Sequence, residues 1–175
     1  MARRLLPSDR AAITATTRPQ REGEVDGQHY YFVPAENFAD WVATDQLLEH
    51  ASVYENRYGV PREPVVAALR RGQDVIVKID VQGAAAIRTL VPDAVSIFLA
   101  PESMERLHAR LSARKTDDAE QLARRFAEAG IELERANEFD YVVFNETNGI
   151  LRAVSEIRSI LLAERAKLDQ PEIEI

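Results

Sequence analysis

From Pro61 onward the chain alternates short apolar runs with helical periods, and few folds accept that order. Asp74-Val-Ile-Val-Lys-Ile-Asp80 and residues 94–99 and 141–144 have the length and apolar character of buried strands. Between them the spacing predicts helices over 83–90, 101–113 and 117–137, and a closing amphipathic helix over 150–167. Repetition of strand and helix in this manner implies an α/β fold on a parallel sheet. The stretch before it reads differently. Residues 12–16 suggest a strand, and 17–29 are polar, with Pro19, Gly23 and Gly27 as turn signals. Residues 30–33 read as a short strand, and Phe38, Trp41 and Val42 mark a helix over 35–44. Residues 47–54 read as extended. Val65, Val66 and Leu69 give the apolar side of a helix opened by Pro61 and stopped by Gly72. Residues 17–60 thus look like a lobe inserted into one domain spanning 1–168, followed by an acidic tail over 169–175.

Glycine usage narrows the function. There are seven glycines and the first is Gly23, so a Gly-x4-Gly-Lys-Ser/Thr phosphate loop at the amino end is excluded. Cysteine is absent, which excludes disulfides, zinc ribbons and thiol catalysis and suits a reducing, cytoplasmic setting. The histidines, at 29, 50 and 108, share no metal-ligand spacing, and no metal site is expected from them. A net charge of -7 argues against nucleic-acid binding. No apolar run approaches 20 residues and no export signal is visible, so neither a membrane partner nor secretion is expected.

Three constellations could carry chemistry. Arg18 and Arg21 flank Pro19 in a loop, where two guanidiniums can converge on one anion; spacing alone favours reading them as a pair of surface arginines. Tyr30, Tyr31, Tyr54 and Tyr58 gather in a short stretch, and their hydroxyls can donate to phosphate or simply pack. Glu49 and Asp80 follow apolar runs. Asp80, at the carboxyl end of an expected parallel strand, stands where open α/β sheets place ligands; either acid can equally be a helix cap or half of a surface salt bridge.

In this order and spacing the residues resemble the guanylate kinase family. The motifs are Thr16-Thr-Arg-Pro-Gln-Arg21, Gly23-Glu-Val-Asp-Gly27 with Tyr30, Glu49, Tyr58-Gly59 and Ile79-Asp-Val-Gln-Gly83. Arg110-Leu, Arg114-Lys-Thr-Asp117, Arg124-Arg125 and Phe139-Asp-Tyr-Val-Val-Phe-Asn145 continue the match, which covers residues 11–165. The resemblance implies a P-loop-kinase-like core with an inserted GMP-binding lobe (17–60) and a lid (112–125), truncated at the amino end relative to the family. It implies transfer from ATP, with Mg²⁺, to GMP. By similarity Arg18, Arg21, Tyr30 and Tyr58 grip the GMP phosphate, while Thr14, Glu49 and Asp80 form the guanine site. Arg110, Arg114 and Arg125 close over the ATP phosphates as the catalytic set, and Asn145 lies near the adenine.

Four departures bear on activity. The sequence opens on what resembles the helix after the missing loop and strand, so ATP binding and turnover by these residues are expected to be strongly impaired. The lost strand is expected to leave a gap between the strands at 75–79 and 95–99, with self-association as a consequence. Lys78 stands at a usually acidic position, read either as loss of a metal-organising acid or as a cation replacing the loop lysine. Val60 replaces a Ser or Thr that assists guanine recognition, and Lys115 replaces a lid glycine. The alternatives to a guanylate kinase are a non-catalytic GMP-binding or protein-interaction module and a kinase of a ribose phosphate.

Overall fold

The computed structural model describes residues 10–53, 55–113 and 119–168. These divide at Ala94/Val95 into two compact units. In the first, β1 (Arg10–Ala11) runs parallel to β6 (Val75–Ile76). Beside this ladder lies a four-stranded sheet of order β3-β2-β5-β4, made of β2 (Ala15–Thr16), β3 (Tyr31–Phe32), β4 (Leu47–Val53) and β5 (Asn56–Pro61). The β4–β5 pair is antiparallel and in register from Glu49↔Val60 to Val53↔Asn56, with an irregularity between Leu47 and Glu49. Two residues of β2 hold both neighbours: Ala15↔Gly59 and Thr16↔Tyr58 antiparallel, Ala15↔Tyr31 and Thr16↔Phe32 parallel.

Helix α1 (Ala35–Ala43) forms where the 3.6-residue period predicts it. Phe38 is fully buried with Ala15 and Leu47, and Trp41 and Val42 pack beside it. That burial contributes about 2–3 kcal/mol from Phe38 alone. Gly59 lies under the same cluster: a Cβ there would meet Leu47 Cδ1 at 2.8 Å, the Glu49 carbonyl oxygen at 3.0 Å and Phe38 Cζ at 3.1 Å, so only glycine lets the helix sit this close. Helix α2 (Arg62–Leu69) starts after Pro61 and is followed by a turn through Gly72, whose φ of +68° is left-handed and keeps the helix from continuing. A second cluster of Leu48, Val60 and Val65 collects Leu69, Val75, Val77, Ile79 and Ile87. Helix α3 (Val81–Leu90) is capped by Asp80, whose Oδ1 accepts from the Gln82 and Gly83 amides at 3.0 and 2.8 Å.

The strands are shorter than the apolar runs predict. Of the run 74–80 only Val75–Ile76 pairs in a ladder, while Val77 and Ile79 are spent on the Leu48–Val60–Val65 cluster. Apolar character marks burial here, and pairing needs a neighbouring backbone as well. Residues 12–16 likewise split: Ala12 donates to Ile76 O at 2.9 Å, and only Ala15–Thr16 enters the mixed sheet.

In the second unit β7 (Ile97–Pro101) and β8 (Tyr141–Asn145) form a parallel pair in register from Ile97↔Tyr141 to Pro101↔Asn145. Its entry is clamped by Asp140 Oδ2, which accepts from Ser96 N and Oγ at 2.7 and 2.6 Å, while Asp140 N donates back to Ser96 Oγ. Helix α4 (Met104–Ser112) is capped by Ser103 and meets α5 (Ala119–Glu134) through an edge-on His108–Phe126 contact. The charged helix expected over 117–137 is thus α5 followed by a 3-10 turn over Arg135–Glu138. Helix α6 (Ile150–Arg165) buries Ala153 and Val154, and the Tyr141 hydroxyl donates to Glu164, which also pairs with Lys167. Among the described residues no helix is long and apolar enough to cross a membrane.

Candidate functional site

The candidate residues of the first unit fall into an arginine- and tyrosine-lined end and an acidic end. At the first of these the chain leaves β2 at Thr16, whose Oγ1 accepts from the Arg18 amide. The loop then doubles back through Gly23 and Gly27, both at positive φ. This return places Glu24 opposite Arg18 in a two-pronged pair, with Nη1–Oε2 at 3.0 Å and Nη2–Oε1 at 2.8 Å. The Arg21 amide donates to Glu24 Oε2 at 2.8 Å, while the Arg21 side chain is exposed. The Arg18 guanidinium lies over Tyr30 and Phe32, 5.4 and 5.6 Å from the ring centroids. Tyr30 and Tyr58 meet edge-on at 6.2 Å. Glu24 first, then the Tyr58 hydroxyl, hold the Arg18 guanidinium above its already high pKa against the opposing effect of burial. Arg18 in turn holds the Glu24 carboxyl below the usual range.

Arg18, Tyr30 and Tyr58 are therefore brought together, and Glu24 with them. Glu24 belongs to the Gly23–Gly27 motif, which by itself suggests no role for it; its place six residues after Arg18, in a loop bounded by two glycines, is the signal that could have found it. Of the five N–H donors of a guanidinium, the bonds to Glu24 and to Pro19 O use three, and the Tyr58 hydroxyl engages the same group. A fixed fork with donors left over suits a second anion.

The acidic end lies further along the same sheet. Tyr58 pairs with Ala51, and Glu49 with Val60, so Glu49 stands two residues from the tyrosine row, about 7 Å along the strand. Glu49 is only 7 % exposed, and among the described residues none donates a hydrogen bond to its carboxylate. Burial, followed by the nearby Asp80 charge, pushes its pKa up to about 7. Asp80 serves as a helix cap, one of the roles open to it from the sequence, and its charge lies close enough to act on Glu49. Thr14 lies half-buried between β1 and β2, its carbonyl accepting from Tyr31 N at 2.9 Å. Val60 is fully buried with Leu48 and Val65, and Lys78 is exposed. Gly83, the last residue of the Ile79–Gly83 motif, lies directly under the Glu49 carboxylate.

In the second unit Arg110 occupies the last turn of α4 and Arg125 lies on α5, both half-buried. Glu102, just past β7, accepts from the Thr147 amide at 3.0 Å, and this bond more than the nearby Arg106 and Arg110 keeps its carboxyl below the usual range. It ties the turn after Asn145, the last residue of β8, to the end of β7. Arg114, Lys115 and Tyr54 lie outside the described residues.

An acidic group short of donors and an oriented guanidinium on one sheet can hold a molecule carrying N–H donors at one end and a phosphate at the other. Comparison with known proteins gives the family. The guanylate kinase family model matches residues 5–164. The guanylate kinase of Symbiobacterium thermophilum is 47% identical over 161 residues, covering 92% of this chain and 75% of that protein. That of Hydrogenovibrio crunogenus is 45% identical over 154 residues, covering 88% and 74%. The crystal structure of guanylate kinase from Anaplasma phagocytophilum superposes with a TM-score of 0.82 at 34% identity, covering 95% of this chain and 81% of that one. The chain belongs to the guanylate kinase family.

Proposed function

We propose that this chain binds GMP in its first unit and acts as the acceptor half of a phosphoryl transfer from ATP. The observation that carries the reading is Glu49: a buried carboxylate to which no described residue donates. Guanine offers N1–H and a 2-amino group as a pair of donors, which adenine lacks. A carboxylate left buried beside the wrong base stays unpaired, so selection is strong. Asp80 adds acidic character to the same end, and Thr14 completes the base site. At the other end Arg18 and Arg21, with Tyr30 and Tyr58, take the phosphate. Val60 supports the strand beneath Glu49 by packing and offers the base no hydrogen bond.

In the family reaction a GMP phosphate oxygen takes the γ-phosphoryl group of ATP, giving GDP and ADP. We assign Arg110, Arg114 and Arg125 to neutralising charge on the transferring group, and Asn145 to the adenine side. Mg²⁺ accompanies ATP in such chemistry. The described residues contain no cluster of three His, Asp or Glu side chains fitted to a metal ion. The sequence also contains no Gly-x4-Gly-Lys-Ser/Thr loop. The residues present are those of acceptor binding and charge neutralisation, and the setting proposed for them is the cytoplasm.

A coupled ATP/GMP assay tests both parts. The 175 residues are expected to turn over at least about 10²-fold more slowly than the same chain supplied with a phosphate loop ahead of it, because each preorganised donor to a developing charge is worth about 10²–10³. Equal rates would show that the chain already holds its donor site. No turnover in either, with GMP bound, would favour a non-catalytic GMP-binding module.

A further inference from the structure

Gly83 is a glycine without a backbone reason. It is the third residue of α3, its φ is not in the left-handed region, and glycine is a poorer helix former than alanine. Gly23, Gly27 and Gly72 have positive φ, and Gly130 faces open space. Gly83 is buried, and a Cβ on it would stand 2.8 Å from Glu49 Oε2, 3.1 Å from Glu49 Cδ and 3.1 Å from Ile79 Cβ. Ile79 belongs to the packed cluster of Leu48, Val60 and Val65, so it cannot retreat cheaply. The Gly83 amide is tied to Asp80 Oδ1, which fixes the first turn of the helix. The group left to move is the Glu49 carboxylate.

We propose that Gly83 is a positioning residue for base selection: its missing Cβ is the space in which the Glu49 carboxylate is set. The proposal rests on Glu49 being the guanine-reading group. A Cβ at position 83 pushes Oε2 off by several tenths of an ångström, and the carboxylate can no longer face two donors at once.

The experiment is a double-mutant cycle read by calorimetric titration of GMP, with G83A, E49Q, the double variant, and G130A as a control helix substitution. G83A is expected to lower GMP affinity roughly 10–100-fold, the worth of one hydrogen bond to a charged group. In the E49Q background G83A is expected to cost less than about twofold, because the group it displaces no longer carries the recognition. G130A is expected to leave binding unchanged. Equal losses from G83A in both backgrounds, or none in either, overturn the proposal while leaving the guanine-site reading intact. E49Q binding GMP as the parent does removes the reading itself.

Thermal unfolding supplies a second readout without ligand. G83A is expected to melt below the parent, and G83A/E49A to recover most of that loss relative to E49A. If G83A alone does not fold, recovery of a cooperatively melting G83A/E49A supports the proposal equally. Failure to recover overturns the assignment.

Discussion

Glu49→Gln is expected to weaken GMP binding by roughly 10²–10⁴-fold at about pH 8, the worth of two hydrogen bonds to a charged group. The substitution keeps the shape and removes the second acceptor. The new amide also turns a donor toward a guanine donor. The same variant is expected to be more stable than the parent at that pH. The folded protein holds the Glu49 proton more tightly than the unfolded chain, raising its pKa from 4.5 to about 7. Glu49 therefore costs the fold nothing below pH 4.5 and its full penalty above about pH 7, about 3 kcal/mol at 1.36 kcal/mol per unit. Denaturant midpoints for parent and variant should coincide at about pH 4 and separate at about pH 8, with the variant higher.

GMP affinity moves in the opposite sense with pH. The base needs the carboxylate, so parental affinity should fall about tenfold per pH unit below about 7. The GMP phosphate loses its second charge only near pH 6, and in E49Q that lower step alone should remain. A variant that binds GMP as tightly as the parent, or a parental affinity flat between about pH 6 and 8, contradicts the role of Glu49.

Arg18→Met is expected to cost roughly 10²-fold in GMP affinity and to leave guanosine binding within about twofold. Methionine keeps the aliphatic stem against Tyr30 and Phe32 and removes the fork. It also leaves the Glu24 carboxylate without its two-pronged partner, facing the incoming phosphate as a like charge. Titrating GMP and guanosine side by side separates these effects: equal losses for the two ligands would mean that Arg18 supports the loop and not the phosphate.

Local period and short motifs make much of the first unit legible in the sequence. Phe38, Trp41 and Val42 announce α1, and Pro61 and Gly72 its neighbour α2, because caps and apolar faces are written within a few residues. Arg18, Tyr30 and Tyr58 carry the family's order, and the fold brings them to one place. The apolar run 74–80 overstates its strand, since hydrophobicity marks burial and a ladder needs a partner. Glu24 and Gly83 sit inside motifs that give them no role. Their surroundings depend on a loop doubling back and on a helix approaching a strand from far along the chain, and neither leaves a local period.

The proposed guanine site is tested most directly by titrating this chain with GMP and AMP under one set of conditions at about pH 8. GMP is expected to bind at least about 10²-fold tighter than AMP, because a buried carboxylate left without donors penalises the wrong base. Equal affinity for the two nucleotides, or no binding of GMP at all, would contradict it.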